Sequence, residues 1–361
     1  MSQPSDRRSN LEEFPIFIRS NTIVLVLLGL LILAGGIVRS SGSGMGCPDW
    51  PRCFGLWIPP LQEIDLPADY QRIYADRGYA DTRFNAVKTW TEYLNRLLGA
   101  LTGVAVLFHM IIAIRFFRSK KQSVAVWSFL AFLLVVIQGG VGAWVVMTHL
   151  RHGVVTLHFV LALAVVALIL KARYSALPEK SPSEQFQHQG VSSTLFSLRW
   201  QAWSVLILML IQIVLGTQVR EQVDEWIRLN ESARLNSAVL FRSLGSAYEW
   251  HRNFWMVVLM ATIYLCHSID RNLGPGVIRL MSFVVLMLLG LQVLTGGLLS
   301  RLGLPAVPRA LHILLGSLSF SITMALAIRL ERTYTQLLKT VTDPPDTDDG
   351  ASDSIPSHLH G

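Results

Sequence analysis

The chain has 361 residues, of which 52% are hydrophobic and only 15% charged, with a formal net charge of +7. Soluble domains carry charge on about a quarter of their residues, so this composition excludes an ordinary soluble protein and points to a chain whose solvent is lipid. The positive balance does not mark a nucleic-acid binder, because the basic residues sit at the ends of apolar runs and in short loops rather than on one soluble face.

Residues 1 to 20 are polar and read as a short cytoplasmic tail. Eight apolar runs follow, near 21–39, 92–115, 124–147, 153–171, 200–220, 250–268, 276–300 and 308–329. Most have the roughly 20 residues that a helix needs to cross a bilayer, and none shows the ten-residue alternation of an outer-membrane barrel. The expected fold class is therefore an all-α integral membrane protein with eight transmembrane helices. The run from Thr22 to Val38 has no small-residue cleavage site before Arg39 and reads as a retained span. The short connection containing Arg115, Arg118, Lys120 and Lys121 is basic and free of acids, which places it on the cytoplasmic side. An even number of spans then puts both termini there, and the loops 40–91 and 221–249 face outward.

The eight spans divide into two repeated four-helix bundles. Gly35-x-x-Val38-Arg39 ends the first span and Gly216-x-x-Val219-Arg220 the fifth, while Asn95-Arg96 and His251-Arg252 open the second and sixth. Gln138-x-x-x-Gly142 in the third matches Gln292-x-x-x-Gly296 in the seventh, and His158 in the fourth matches His312 in the eighth. Each match is weak alone, but four in one order are hard to obtain by chance. The expected organisation is an N-terminal bundle over 21–171, a cytoplasmic linker over 172–199, a C-terminal bundle over 200–329 and an acidic, Pro-rich disordered tail over 330–361. Every matched His, Asn and Arg falls at the outward end of its helix, so the two halves are expected to build sites at similar depth.

In the second half, His251 and His312 come from two helices of one bundle and can offer one iron two axial imidazoles. In the first half, His158 is present but Asn95 stands where the second imidazole would be, leaving either an open coordination position or a site completed by His149 or His152. Arg39, Arg96, Arg220 and Arg252 lie at outward helix ends, where guanidinium groups suit the carboxylates of a cofactor. Glu92 lies one turn before Asn95. A carboxylate at the mouth of an apolar bundle is either a proton acceptor or an ion-pair partner of Arg96 at i,i+4. Cys47 and Cys53, on the oxidising face, can form a disulfide that is structural or redox-active, whereas Cys266 lies at the inner end of the sixth span.

These stretches together resemble one family. Gly35-Gly36-Ile37-Val38-Arg39 leading into Gly44-Met45-Gly46-Cys47-Pro48-Asp49-Trp50-Pro51, then Thr89-Trp90-Thr91-Glu92-Tyr93-Leu94-Asn95-Arg96, the repeated bundles and the His pair are similar to the heme A synthase family over roughly 20–330. The resemblance implies an inner-membrane oxidoreductase that converts the methyl group at carbon 8 of heme O to a formyl group by successive hydroxylations. It implies heme b on His251 and His312, heme O as substrate in the N-terminal bundle, Glu92 as the acidic residue of the site and Cys47 with Cys53 as the outer-loop pair. The implied partners are membrane lipid, the heme O-producing enzyme and the cytochrome oxidase assembly machinery. Asn95 departs from the family's common His.

Two other readings compete. A heme-bearing electron conduit that modifies no substrate would use His109 and His267, near the inner ends of their spans, for a second heme layer roughly 20 Å below the outer sites. A transporter with repeated halves would need broken helices, and no pair of them is evident.

Overall fold

The computed structural model describes residues 4–80, 82–119, 121–178, 191–229, 244–301 and 306–342. Among these residues, eight helices are long and apolar enough to cross a membrane. They are α1 (Pro4–Ser40), α2 (Ala86–Phe117), α3 (Gln122–Met147), α4 (His152–Ala176), α5 (Val191–Leu229), α6 (Ser246–Asn272), α7 (Val277–Arg301) and α8 (Ala306–Thr342). No strand forms among the described residues; one isolated bridge pairs Cys53 with Leu56. The chain is thus an all-helical, multi-pass membrane protein, and its helices expose Leu101, Val104, Phe108, Phe129, Leu133 and Met260 outward, as lipid solvation allows.

Neighbours in sequence pack on each other. Contacts join α1 to α2, α2 to α3, α3 to α4 and α4 back to α1; in the second half they join α5 to α6, α6 to α7, α7 to α8 and α8 back to α5. The two groups of four meet where α8 packs on α1 and α4, and α4 on α5. One apolar cluster fills the second half with Leu206, Val258, Leu265, Val285 and Leu326; another fills the first with Val24, Val106, Ala131 and Val165 and extends to Ala325 and Ile328 of α8.

Several helix ends differ from the hydropathy reading. The segment expected as a polar tail is helical from Pro4, and Phe17 buries against Ala113, Phe117 and Ala172 at the inner end of the first half. Helix α5 begins at Val191 and runs to Leu229, taking in residues assigned to the linker and to the outer loop 221–249. Helix α8 continues past 329 to Thr342, because Leu330 and Leu337 remain on its buried face while Glu331 turns to Arg199 at 2.7 Å. A hydropathy average counts such charged neighbours against the span, whereas the helix sorts them by face. The acidic tail from 343, with His358 and His360, lies outside the described residues, as do 179–190 and 230–243.

The connection between α1 and α2, expected on the outward side, folds as a compact unit of its own. Phe54 sits at its centre, with the rings of Tyr70, Tyr74, Tyr79 and Phe84 each packed edge-on against it at centroid distances of 5.9, 5.7, 5.1 and 5.8 Å. The Asp49 carboxylate accepts the backbone N–H groups of Phe54 and Gly55 at 2.6 and 2.8 Å, which closes the turn. Cys47 and Cys53 form a disulfide buried within this cluster.

Candidate functional site

His158, His251 and His312 share one local design. Each leans on the helix preceding its own, against a glycine that follows a glutamine by one turn. A Cβ added to Gly142, Gly216 or Gly296 would lie 3.3, 2.9 or 3.4 Å from Cε1 of His158, His251 or His312, so these helices carry glycine where the imidazole must lie close. Gln138 donates its amide to the His158 carbonyl at 2.7 Å, and Gln212 donates to the His251 carbonyl at 3.0 Å, pinning each histidine-bearing helix at the histidine itself.

In the second half the two imidazoles face each other with ring centroids 6.4 Å apart and planes at 78°. The Nδ1 of His251 lies 3.2 Å from the Gln212 carbonyl, which only accepts, so that nitrogen carries the hydrogen and Nε2 keeps its lone pair. Two metal–nitrogen bonds of about 2.0 Å, each extended by roughly 1 Å to the ring centre, give about 6 Å between centroids, and the observed pair fits that span. Among the described residues no group of three or more His, Cys, Asp or Glu side chains gathers around one point. The pair therefore suits an iron that brings its remaining ligands with it, as a porphyrin does, rather than a bare ion.

In the first half the corresponding place is occupied differently. His158 is half-buried and its Nδ1 has no hydrogen-bond partner. The Asn95 amide oxygen is likewise buried and unpartnered, and a Cβ on Gly35 would meet nothing within 4 Å. The geometry thus leaves room and unused polar atoms where the second half places its second ring. His149 is exposed at the end of α3 with a left-handed backbone, and nothing places it beside His158.

Glu92 is 3% exposed and ties α2 to the outer loop. One carboxylate oxygen accepts the Cys47 N–H at 2.9 Å and the other meets Arg96 at 2.5 Å. Arg96 also donates to the carbonyls of Asp49, Cys47 and Arg52 at 2.7, 3.1 and 3.0 Å. The expected i,i+4 pair is therefore present, and Arg96 turns to the disulfide loop rather than toward the helix seam. The same contact explains Gly46, whose Cβ would fall 2.5 Å from the Lys88 carbonyl oxygen, inside a backbone contact that only glycine permits. Tyr79 closes the loop by donating to the Met45 carbonyl at 2.8 Å, and burial, with the Glu92 charge behind it, pushes this phenol well above its ordinary value, so it stays a neutral donor.

The other predicted arginines separate into two environments. Arg39 and Arg220 both bind Asp224, at 3.1 and 2.7 Å, and Arg220 donates to the Arg39 carbonyl at 3.2 Å. Arg309, one turn before His312, donates to the Ser40 carbonyl at 2.6 Å. Arg39 Nε, Arg220 Nη1 and Arg309 Nε are buried donors without a hydrogen-bond partner, so this seam between the halves retains capacity for a carboxylate. Arg252, by contrast, is exposed, with its guanidinium 5.6 Å from the Tyr248 ring centre. Reading the sequence overlooked Arg309, Asp224 and Gln212. Only Gln212 had a signal there, since Gln212-x-x-x-Gly216 repeats the Gln138 and Gln292 spacing. A second buried carboxylate, Glu221, was also overlooked; it accepts Thr156 Oγ1 at 2.9 Å.

The inner-end histidines do not form a second layer. His109 is fully buried, with Nδ1 2.9 Å from Ser20 Oγ and Nε2 3.4 Å from Asn21 Nδ2, and Phe17 packs on its ring at 4.8 Å. Both nitrogens are thus occupied in a network joining α1 and α2, whereas His267 is exposed.

A model of the COX15-CtaA family, described as cytochrome oxidase assembly proteins, matches residues 19–324. The heme A synthase of Shewanella oneidensis is 25% identical over 288 residues, covering 77% of this chain and 82% of that protein. That of Bartonella henselae is 21% identical over 324 residues, covering 80% and 84%. That of Alkalihalophilus pseudofirmus is 29% identical over 151 residues, covering 41% and 43%. Because the family match runs from within α1 into α8 and takes in His158, His251 and His312, the chain belongs to the COX15-CtaA family of cytochrome oxidase assembly proteins.

Proposed function

We propose that this protein is a heme A synthase of the inner membrane, with both termini cytoplasmic, which oxidises the C8 methyl group of heme O to a formyl group by successive hydroxylations. The observation that carries the reading is the contrast between the halves: a facing His251–His312 pair in one, and in the other His158 with an unpartnered Nδ1, an unpartnered Asn95 oxygen and open space at Gly35. His251 and His312 hold heme b, and His158 holds the substrate heme. When bound there, heme b would supply one-electron transfer. Arg39, Arg220 and Arg309 receive propionates at the seam, because each keeps a buried, unpartnered N–H there; the exposed Arg252 and the loop-bound Arg96 are less well placed.

Glu92 is proposed as the proton acceptor of the substrate site. It is buried one turn from Asn95, and the Arg96 guanidinium and Cys47 N–H fix its position. The same contacts make it the anchor of the disulfide loop, so a variant must separate the two roles. Substrate enters from lipid after the heme O-producing enzyme has made it, and product passes to the cytochrome oxidase assembly machinery.

Heme extraction from the purified protein tests the activity. Heme O and heme A together with heme b are expected; heme b alone would identify an electron conduit, and no heme would leave a transporter. Glu92→Gln is expected to keep total bound heme and the melting temperature near wild type while lowering the ratio of heme A to heme O. Full heme A production by that variant removes the catalytic role, and loss of heme and stability together assigns Glu92 to the loop alone.

A further inference from the structure

The histidines of the two halves differ in what holds the nitrogen that does not face a metal. Thr295 on α7 has its Oγ1 3.0 Å from the Gln292 carbonyl and 2.9 Å from Nδ1 of His312. Both contacts are satisfied together when the hydroxyl hydrogen goes to the Gln292 carbonyl and His312 Nδ1–H donates to the Thr295 oxygen, and we assign that arrangement. This sets the tautomer and orientation of His312 and leaves its Nε2 lone pair for a ligand bond. His251 reaches the same state through the Gln212 carbonyl.

The first half keeps the surroundings and lacks this bond. Gly142 stands to His158 as Gly296 stands to His312, with nearly the same close approach to Cε1, and each glycine follows a glutamine, Gln138 or Gln292, by four residues. The residue three places after the glutamine is Thr295 in α7 and Val141 in α3. Valine has the shape of threonine and no hydroxyl, and His158 Nδ1 is buried without a partner.

We infer that Thr295 is the positioning residue that makes His312 a permanent heme ligand, and that Val141 leaves His158 an exchangeable one, so that the first half releases its porphyrin while the second keeps its own. This rests on the proposal that both histidines ligate heme iron. A hydrogen-bond acceptor on the far nitrogen of a ligating imidazole fixes the ring and raises its basicity, and losing one lowers metal affinity roughly ten- to a hundredfold. A site that must discharge product at every cycle gains from lacking that bond, whereas a site that only relays electrons does not.

The swap of one hydroxyl tests this in both directions. Heme-loaded Thr295→Val, Thr295→Ser and Val141→Thr proteins would be mixed with excess apomyoglobin, and the heme leaving each protein identified and timed, with low-temperature EPR recording the low-spin signal. Thr295→Val is expected to release heme b roughly ten- to a hundredfold faster with an altered low-spin signal, and Thr295→Ser to restore both. Val141→Thr is expected to slow the release of heme O and heme A by a similar factor. Wild-type release in both Thr295→Val and Val141→Thr overturns the inference. Should Thr295→Val fail to fold, Val141→Thr decides alone, since it adds a bond. His312→Ala separates the premise from the inference: heme b held normally by that variant refutes the ligand assignment, whereas its loss there with no effect of the hydroxyl swaps refutes only the role of Thr295 and Val141.

Discussion

The first and second halves pack their four helices in the same order, yet they treat the outward end of the bundle differently. The second half fills it with two imidazoles, each with a hydrogen-bond partner at Nδ1. The first half has one imidazole without that support, an unpartnered Asn95 oxygen, and a disulfide loop tied down by a buried carboxylate. The difference teaches that one order of helices can present different sets of polar side chains at matching positions. On the proposed reading, the supported imidazoles go with retention and the unsupported one with exchange.

The strongest way to break this comparison is to remove an imidazole from the complete side. His251→Ala or His312→Ala is expected to abolish the bis-imidazole low-spin signal entirely, as read by low-temperature EPR of the purified protein, because Asn95 shows that the scaffold tolerates a missing ring without another side chain moving in. A normal signal in either variant would mean that the facing rings are only packed together.

A smaller effect is expected at the loop that distinguishes the first half. In Gly46→Ala the new methyl group meets the Lys88 carbonyl, and backbone cannot yield as a side-chain tip does. A loss of about 1–3 kcal/mol should appear as a lower melting temperature and as faster reduction of the Cys47–Cys53 disulfide by an added thiol, while heme b in the second half stays bound. Unchanged disulfide reduction would show that the loop does not depend on its contact with α2.

The smallest effect sharpens the comparison at the seam. Arg220→Lys replaces a fork that binds Asp224 and retains one free donor with a single point charge, and is expected to cost about 1 kcal/mol, roughly fivefold in heme affinity. Arg252→Lys, on an exposed side chain, should leave heme occupancy unchanged in a direct titration. Equal losses from both would favour simple interfacial anchoring of all four predicted arginines.

Much of this was legible in the chain, for reasons that can be named. Spans of about 20 apolar residues are readable because a helix in lipid must satisfy its own backbone and present apolar side chains. His158, His251 and His312 are readable because imidazoles at matching offsets in long apolar runs are rare. The helix ends at Leu229 and Thr342 were misjudged because charged residues on one face lower an average that knows nothing of faces.

What the sequence by itself determined, then, is the membrane class, the helical fold, the family and the residues that can bear metal or charge. These depend on composition and on local spacing, which the chain carries without folding. Tertiary structure alone decided how the charges are used. Arg96 and Arg39 each follow a helical span boundary motif, yet one bonds to loop carbonyls and the other to Asp224, 185 positions away. The hydroxyl of Thr295 matters only because α8 brings His312 within 2.9 Å of it, and the absence of one at Val141 matters only because α4 brings His158 to the same place on α3. Hydrogen bonds act over about 3 Å and depend on direction, so they are set by how helices distant in sequence pack, and no pattern along one chain can state them.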